Sequence, residues 1–328
     1  MRRRDFIAIL GGAAAAWPLV TRPQQKAMPV IGFLSTRSAR ESEALVAGFR
    51  SGLKEAGFVE GQNVAVEYRW ADSQFDRLPS LAAELVALRV AVIATLGGPL
   101  SALAAKAATT TIPIVFALSV DPVKLGLVAS LSRPGGNITG VAHLGATLSG
   151  KRLQLLRELV PQTNVIAVLV NSKIPEGQIQ LKEVQEAARS IRQKIVIFNA
   201  STSAEIDAAF AGLGHKGARA LVVTNDPFLN GQREQFAALA ARHSVPTIYP
   251  WRENVEAGGL MSYGTASLAA SYGQVGNYVG RILKGARPAD LPVVQPTKFD
   301  LVVNAKTAKA LGIKIPESIL TQADRVIE

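Results

Sequence analysis

Short hydrophobic runs of strand length alternate with helical patterns along most of the chain. The apolar run at residues 29–34 precedes a segment in which Leu45 and Leu53 belong to a pattern that recurs every three or four positions. Ser38 and Glu41 have the spacing of a capping box, which would begin this helix. Further strand-like runs, separated by helical patterns, lie at residues 64–68, 90–95 and 112–118. The alternation predicts a parallel sheet covered by helices.

The same alternation begins again in the second half of the chain, after a glycine-rich segment at residues 132–141. Strand-like runs lie at residues 165–170, 194–199, 220–224 and 245–249. A chain of 328 residues more often divides than forms one sheet of some ten strands. The sequence therefore predicts an α/β protein with two domains, each built on a parallel sheet.

The first residues have the pattern of an export signal. Arginines at positions 2–4 precede an apolar stretch at residues 6–16, which is too short for a stable membrane span. Residues 3–7, Arg-Arg-Asp-Phe-Ile, also fit the twin-arginine pattern. The alternative is a basic helix on the domain surface. Residues 21–23, Thr-Arg-Pro, stand where a small-residue cleavage site is expected, so the pattern leaves the mature start open.

Composition narrows the classes of protein. The net charge of +11 is spread thinly, and no block of lysines and arginines with interleaved aromatics is present, so we expect no nucleic-acid partner. Beyond the first two dozen residues, no apolar run approaches the ~20 residues of a membrane-spanning helix. Cysteine is absent, which excludes disulfides and thiolate metal sites.

A glycine pair opens one of the predicted helices. Gly97 and Gly98 follow an apolar strand run, and Pro99 suits the first helical position. Parallel sheets bind ligands where strands end and helices begin, and free backbone N–H groups there favour an anion. A P-loop lysine is missing from the pattern, so a carboxylate fits better than a triphosphate. A tight turn that holds nothing is the alternative.

Polar and aromatic residues follow several of the other predicted strands. Asp121 and Asp226 each stand before a proline at a strand end, one in each half, and either cap helices or face each other across a cleft. Tyr249 and Trp251 lie near a second glycine pair and either wall a pocket or pack in the core. Short polar side chains at strand ends, which orient small polar ligands, are Ser35, Thr36, Ser119, Asn171 and Ser172.

Catalytic chemistry has no support in the sequence. The three histidines show no ligand spacing with one another or with carboxylates, and no nucleophile elbow or P-loop is present. We therefore expect no catalytic residue, no metal site and no cofactor.

Several long motifs resemble one bacterial family, the ABC-transporter substrate-binding proteins related to tryptophan/tyrosine import binding proteins. The motifs are the RR-x-F-I start, GFRSGLKEAGFVEGQNVAVEYRWAD (48–72), DPVKLGLVASLSRPGGNITGV (121–141), AGGLMSYG (257–264), YVGRILKGARPADLPVVQPTKFDLVVNAKTAKALGIKIPESIL (278–320) and ADRVIE (323–328). The resemblance implies a fold like that of type I periplasmic binding proteins, with two Rossmann-like lobes joined by hinge strands. Residues 1–27 would be the export signal, residues 28–143 and 259–288 one lobe, and residues 144–258 and 289–328 the other.

The resemblance also implies the residues that line a cleft between the lobes. They are Ser35, Thr36, Gly97, Gly98, Ser101, Ser119 and Asp121 from the first lobe, and Asn171, Asn225, Asp226, Phe228, Tyr249 and Trp251 from the second lobe and its edge. A ligand carboxylate would dock on the amides of Gly97 and Gly98. An ammonium group would meet Asp121 or Asp226, and aromatic rings would close over the ligand's side chain.

The expected function is an exported, non-catalytic receptor that closes on a small carboxylate-bearing ligand, an amino acid with an aromatic or other side chain. Its partner would be an ABC permease in the inner membrane, and we expect a monomer in the periplasm. An α/β enzyme acting on a small polar metabolite and the sensor domain of a repressor are the alternatives. The enzyme would need a general base in the cleft.

Overall fold

The computed structural model describes residues 28–143, 148–265, 267–296 and 298–328. The predicted export signal at residues 1–27 lies outside this part of the chain. Within the described residues, no helix is long and apolar enough to span a membrane. Two sheets covered by helices make up the structure.

The first sheet has five parallel strands in the order β2-β1-β3-β4-β5. Its strands are β1 (Val30–Ser35), β2 (Ala65–Trp70), β3 (Val92–Leu96), β4 (Ile114–Leu118) and β5 (Ile138–Ala142). Its helices are α1 (Glu43–Glu55), α2 (Leu78–Ala87) and α3 (Pro99–Ala108). Apolar clusters of β-branched, leucine and aromatic side chains fill the space between this sheet and its helices. The predicted parallel sheet is thus confirmed in the first half of the chain.

The second sheet has seven strands in the order β12-β11-β10-β9-β8-β6-β7. They are β6 (Val165–Val170), β7 (Lys194–Asn199), β8 (Leu221–Val223), β9 (Thr247–Tyr249), β10 (Met261–Thr265), β11 (Phe299–Asn304) and β12 (Arg325–Ile327). The strands are parallel to their neighbours except that β11 runs antiparallel to β10. The expectation of a purely parallel sheet is therefore wrong at this one pair, because β11 returns from the first lobe rather than from a crossover helix.

Helices from both halves of the chain cover these sheets. Around the second sheet lie α4 (Ser149–Leu159), α5 (Pro175–Ser190), α6 (Ser203–Gly212), α7 (Pro227–Gly231), α8 (Arg233–His243), α9 (Arg252–Glu256), α11 (Ala305–Ala310) and α12 (Glu317–Gln322). The remaining helix, α10 (Leu268–Leu283), packs instead on α1 of the first lobe. A Cβ on Gly52 would lie 1.8 Å from the carbonyl oxygen of Gly273, so only glycine permits this close approach. The approach brings the first turns of α10 to the edge of the first sheet.

The changes from one sheet to the other fall later in the sequence than the resemblance implies. Strand β10 lies in the second sheet, although residues 259–265 were expected in the first lobe. A Cβ on Gly264 would lie 2.0 Å from the carbonyl oxygen of Pro250, and this close contact holds β10 beside β9. Val294, expected in the second lobe, forms a bridge with Val141 of the first sheet. The sheet membership therefore differs from the expected boundaries after residues 258 and 288.

The predicted capping box is present at the start of the first helical segment. The backbone N–H of Glu41 donates to Ser38 Oγ at 3.3 Å, and the backbone N–H of Ser38 donates to Glu41 Oε2 at 3.3 Å. One turn of 3₁₀ helix at Arg40–Ser42 then leads into α1. The reciprocal bonds fix the direction of the chain as it leaves β1.

Candidate functional site

The glycine pair lies where β3 ends and α3 begins, at the edge of the first sheet that faces the second lobe. Gly97 and Gly98 have φ angles of +93° and +102°, and Pro99 is the first residue of α3. Thr36 at the end of β1 donates its hydroxyl to the carbonyl oxygen of Gly97. A Cβ on Gly98 would lie 2.9 Å from Glu176 Oε1 of the second lobe. The bare backbone therefore allows the two lobes to meet.

A cavity lies between the lobes at this point. Residues of both lobes line it, and they are Arg37, Gly97, Gly98, Ala117, Leu118, Ser119, His143, Glu176, Asn225, Pro227, Asn230, Trp251, Leu268 and Tyr272. Its volume is about 30 Å³, counted at the positions that the centre of a water molecule can occupy. Five of the residues expected from the sequence line it, namely Gly97, Gly98, Ser119, Asn225 and Trp251.

Arg37 supplies a buried positive charge to this cavity. It directly follows the polar end of β1, and only 5% of its surface is exposed. Its Nε has no hydrogen-bond partner among the described residues. Tyr272 of α10 lies close to the guanidinium, and burial raises the pKa of this phenol. A buried cation with free donor capacity is suited to an anionic ligand group.

Glu176 supplies an acidic group from the opposite lobe. It lies in the first turn of α5, is 2% exposed and lies close to Ser119 of the first lobe. Burial, and to a smaller extent the nearby charge of Asp226, raises the pKa of Glu176 well above its ordinary value. A cationic ligand group beside this carboxyl would favour its ionised form.

Trp251 and His143 form one wall of the cavity. The two rings pack edge to face with their centroids 5.6 Å apart, and Trp251 Nε1 donates to Asn225 Oδ1 at 2.8 Å. His143 is 3% exposed, and burial lowers its pKa to about 4. The imidazole is therefore neutral at physiological pH and presents a polar but uncharged face.

The two aspartates that precede prolines have structural partners. Asp226 caps α7, where its Oδ1 accepts the backbone N–H of Leu229 at 2.7 Å. Burial raises the pKa of Asp226, and Asn171 Nδ2 donates to its Oδ2 at 3.2 Å. Asp121 accepts the backbone N–H of Val123 at 2.8 Å within an exposed turn. The capping alternative therefore accounts for Asp226, whereas Asp121 stabilises a turn that no helix follows. Neither residue lines the cavity.

Two of the expected aromatic residues pack away from the cavity. Tyr249 is fully buried in the second lobe's core, with its ring 6.0 Å from that of Phe236. Phe228 packs against the same apolar cluster. In the conformation described, both rings therefore belong to the packing under the second sheet and do not line the cavity, and their closure over a ligand stays a prediction.

The remaining expected residues support the cavity's walls without lining it. Ser35 Oγ accepts the backbone N–H of Arg37 at 3.2 Å, and Ser101 Oγ donates to the carbonyl oxygen of Gly98 at 2.8 Å. Asn171 contacts Asp226, and Thr36 holds Gly97 as described above. These side chains use their hydrogen bonds to position the loops that do reach the cavity.

Sequence reasoning missed Arg37, His143, Glu176 and Tyr272. Arg37 and Glu176 each follow a predicted strand and lie close to expected site residues, but a single charged residue in such a position is typical of a solvated surface. His143 also follows a strand, but it was rejected because it lacks metal-ligand spacing. Tyr272 had no signal, because its position within α10 is typical of an ordinary core residue. Within the part of the chain that the structure describes, no group of three or more acidic or histidine side chains is placed to hold a metal ion.

Two mostly parallel α/β lobes with a small polar cavity between them define the class of two-lobed solute-binding proteins. The chain belongs to the ABC transporter substrate binding protein family, whose model matches residues 29–327. A curated relative, the tyrosine-binding protein of Clostridioides difficile (strain R20291), is 28% identical over 267 residues, which cover 81% of this chain and 76% of the relative. Members of this family are solute-binding proteins that work with membrane permeases.

Solved structures of substrate-binding proteins also resemble this chain. An ABC domain from Streptococcus pneumonia in complex with L-Trp is 26% identical and covers 91% of this chain and 99% of its own, with a TM-score of 0.80. A ligand-free, open substrate-binding protein with adhesive properties from Clostridium difficile has the same identity and coverage but a TM-score of 0.62. The fold is that of type I periplasmic binding proteins, as the sequence resemblance implies.

Proposed function

We propose that this protein is the receptor of an ABC importer and that it binds an α-amino acid between its lobes. The observation that carries the proposal is that a buried guanidinium and a buried carboxyl, one from each lobe, line the same interlobe cavity. Arg37 would bind the ligand's carboxylate, and Glu176 would accept its ammonium group. The tyrosine-binding relative and the L-Trp complex support an amino acid as the ligand class.

This assignment changes which residues carry the ligand. The carboxylate was expected on the amides of Gly97 and Gly98, and the ammonium at Asp121 or Asp226. Arg37 offers a full charge beside that glycine pair, and Glu176 has its carboxyl at the cavity itself. Charge-assisted hydrogen bonds in a buried site are stronger than bonds to neutral amides, so these two side chains would dominate recognition.

Closure of the lobes would couple binding to transport. We propose one lobe of residues 28–143 and 267–296, and a second of residues 148–265 and 298–328. Gly98 contacts Glu176 and Pro227 across the cleft, and Gly231 approaches the carboxylate of Glu41. The higher TM-score to the ligand complex than to the open structure supports a closed arrangement of these lobes. A ligand that joins both lobes would favour this arrangement by its differential affinity.

The proposal also includes the export of this chain and its partner in transport. Substrate-binding proteins of ABC transporters are generally exported, and we propose that residues 1–27 direct this chain through the twin-arginine route. The exported monomer would present its closed form to a permease in the inner membrane and catalyse no reaction itself.

Thermal unfolding with and without ligand tests the amino-acid proposal. A ligand that binds only the folded chain raises the melting temperature, by mass action, when it is added well above its Kd. We expect at least one amino acid of the common twenty to raise the melting temperature of residues 28–328. Arg37→Met should abolish that shift, because truncating one partner of a buried charge pair costs about 2–5 kcal/mol. Arg133→Met, at an exposed loop of the same lobe, is the control. If none of the amino acids raised the melting temperature of the wild type, the result would contradict the proposal.

A further inference from the structure

The free space in the interlobe cavity is small, and this limits the size of the ligand that the proposed function requires. A volume of about 30 Å³ at water-centre positions corresponds to a sphere of about 1.9 Å radius. Adding the 1.4 Å radius of water gives a hole about 6.6 Å across. Such a hole holds the ammonium and carboxylate of an amino acid with about one or two further heavy atoms. An indole or phenol ring would overfill this space, although a second cavity of about 340 Å³ shares Arg37, Asn230, Trp251 and Leu268 with it.

Trp251 lines both this cavity and the larger second cavity, so its indole limits the space into which a ligand side chain could extend, and it is held there. Its indole is 4% exposed and donates to Asn225 Oδ1, while His143 packs against it edge to face. Asn225 is fixed in turn, because its backbone N–H and carbonyl both pair with the side chain of Gln180 at 2.7 Å. Asn230 Nδ2 donates to the same Asn225 oxygen at 2.9 Å. Moving the indole therefore disrupts a buried hydrogen-bond network, which is costly.

The opposite wall is also buried. Tyr272 is 2% exposed and lies close to Arg37 and to the backbone of Gly97. It lies on α10, which packs closely on α1 through glycines. Because both walls are buried and packed, making room for a ring would disturb this packing. Of Phe228, Tyr249 and Trp251, which were expected to close over a ligand's side chain, Trp251 alone lines the cavity.

Resting on the proposed function, we infer that the ligand is an amino acid with a small side chain, such as glycine, alanine or serine, and that Trp251 sets this limit. The specificity then differs from that of the relatives that bind tyrosine and tryptophan. A hydrophobic wall that is overfilled by a few heavy atoms discriminates by about tenfold or more.

Isothermal titration of residues 28–328 with glycine, alanine, serine, leucine, tyrosine and tryptophan tests this inference. We expect the wild type to bind at least one of the three small amino acids at least about tenfold more tightly than tyrosine or tryptophan. Trp251→Ala should reverse or remove this preference, because it opens the space that the indole fills. Trp251→Phe, which keeps a ring without the Asn225 hydrogen bond, should relax it partly. Trp70→Phe, in β2 of the first lobe, is the matched control and should leave the preference unchanged.

The outcomes separate this inference from the proposed function. Wild-type binding of tyrosine or tryptophan as tight as that of the small amino acids overturns the size limit and leaves the amino-acid receptor standing. An unchanged preference in both folded Trp251 variants overturns the role of Trp251. Failure of every amino acid to bind contradicts the proposed function, and the inference falls with it.

Discussion

Replacing Gly98 by alanine separates backbone strain from contact between the lobes. The φ angle of +102° is strained for any residue with a Cβ, at a cost of about 1–3 kcal/mol. That cost is present whether the lobes are open or closed, so it lowers stability but not affinity. The added Cβ would also lie 2.9 Å from Glu176 Oε1 and 3.3 Å from Pro227 Cγ. These contacts exist only where the second lobe meets the first.

The contact therefore raises the free energy of the closed form alone. Overfilling a packed contact costs about 1–3 kcal/mol, which corresponds to a loss of about 5- to 150-fold in ligand affinity. Gly285→Ala is a close control, because Gly285 has a φ angle of +103° with nothing within 4 Å of an added Cβ. We expect both variants to lose stability and only Gly98→Ala to lose affinity.

Urea unfolding measures the free energy of unfolding of each variant, and calorimetric titration with the amino acid that binds best measures affinity. Undiminished affinity in Gly98→Ala, alongside a stability loss equal to that of Gly285→Ala, would refute the reasoning. In that case the glycine would serve only the turn between β3 and α3, which is the alternative that the sequence left open.

Two further predictions concern the carboxyl groups beside the cavity. The folded-state pKa of Glu176 is raised above its ordinary value of 4.5. The protonated carboxyl therefore contributes its full stabilisation below pH 4.5, and this contribution is lost as pH rises through the folded-state pKa. Glu176→Gln should flatten the fall in the melting temperature of the ligand-free protein above pH 4.5, and identical plots of melting temperature against pH for wild type and variant would contradict the burial of this carboxyl. Asp226→Ala should lower the free energy of unfolding by about 0.5–2 kcal/mol through loss of the α7 cap, whereas an unchanged urea midpoint would show that the cap contributes nothing.

The sequence predicts most of this fold because most strands of both sheets are buried. Runs such as residues 29–34 and 165–170 are apolar throughout, and this pattern can be recognised from one sequence without any knowledge of tertiary contacts. The antiparallel pairing of β11 with β10 is not predictable in this way, since it depends on where the chain returns after α10. The same lack of local signal explains why the changes of sheet were expected several residues too early.

The candidate site is predictable only where the backbone itself is unusual. Gly97 and Gly98 are recognisable because a glycine pair before a proline indicates positive φ angles at a helix start. Arg37 and Glu176 are not, because a single charged residue after a strand is typical of a solvated surface until the second lobe covers it. Tyr249 and Trp251 are two positions apart yet occupy a core and a cavity wall, since β9 ends between them. Only the fold distinguishes such neighbours.

A crystal structure of residues 28–328 with the amino acid that binds most tightly in titration tests the central claim most directly. The account predicts ligand density in the interlobe cavity, with the carboxylate on the guanidinium of Arg37 and the ammonium beside the carboxyl of Glu176. Density for that amino acid elsewhere on the protein, or in the cavity with its carboxylate turned away from Arg37, would contradict it.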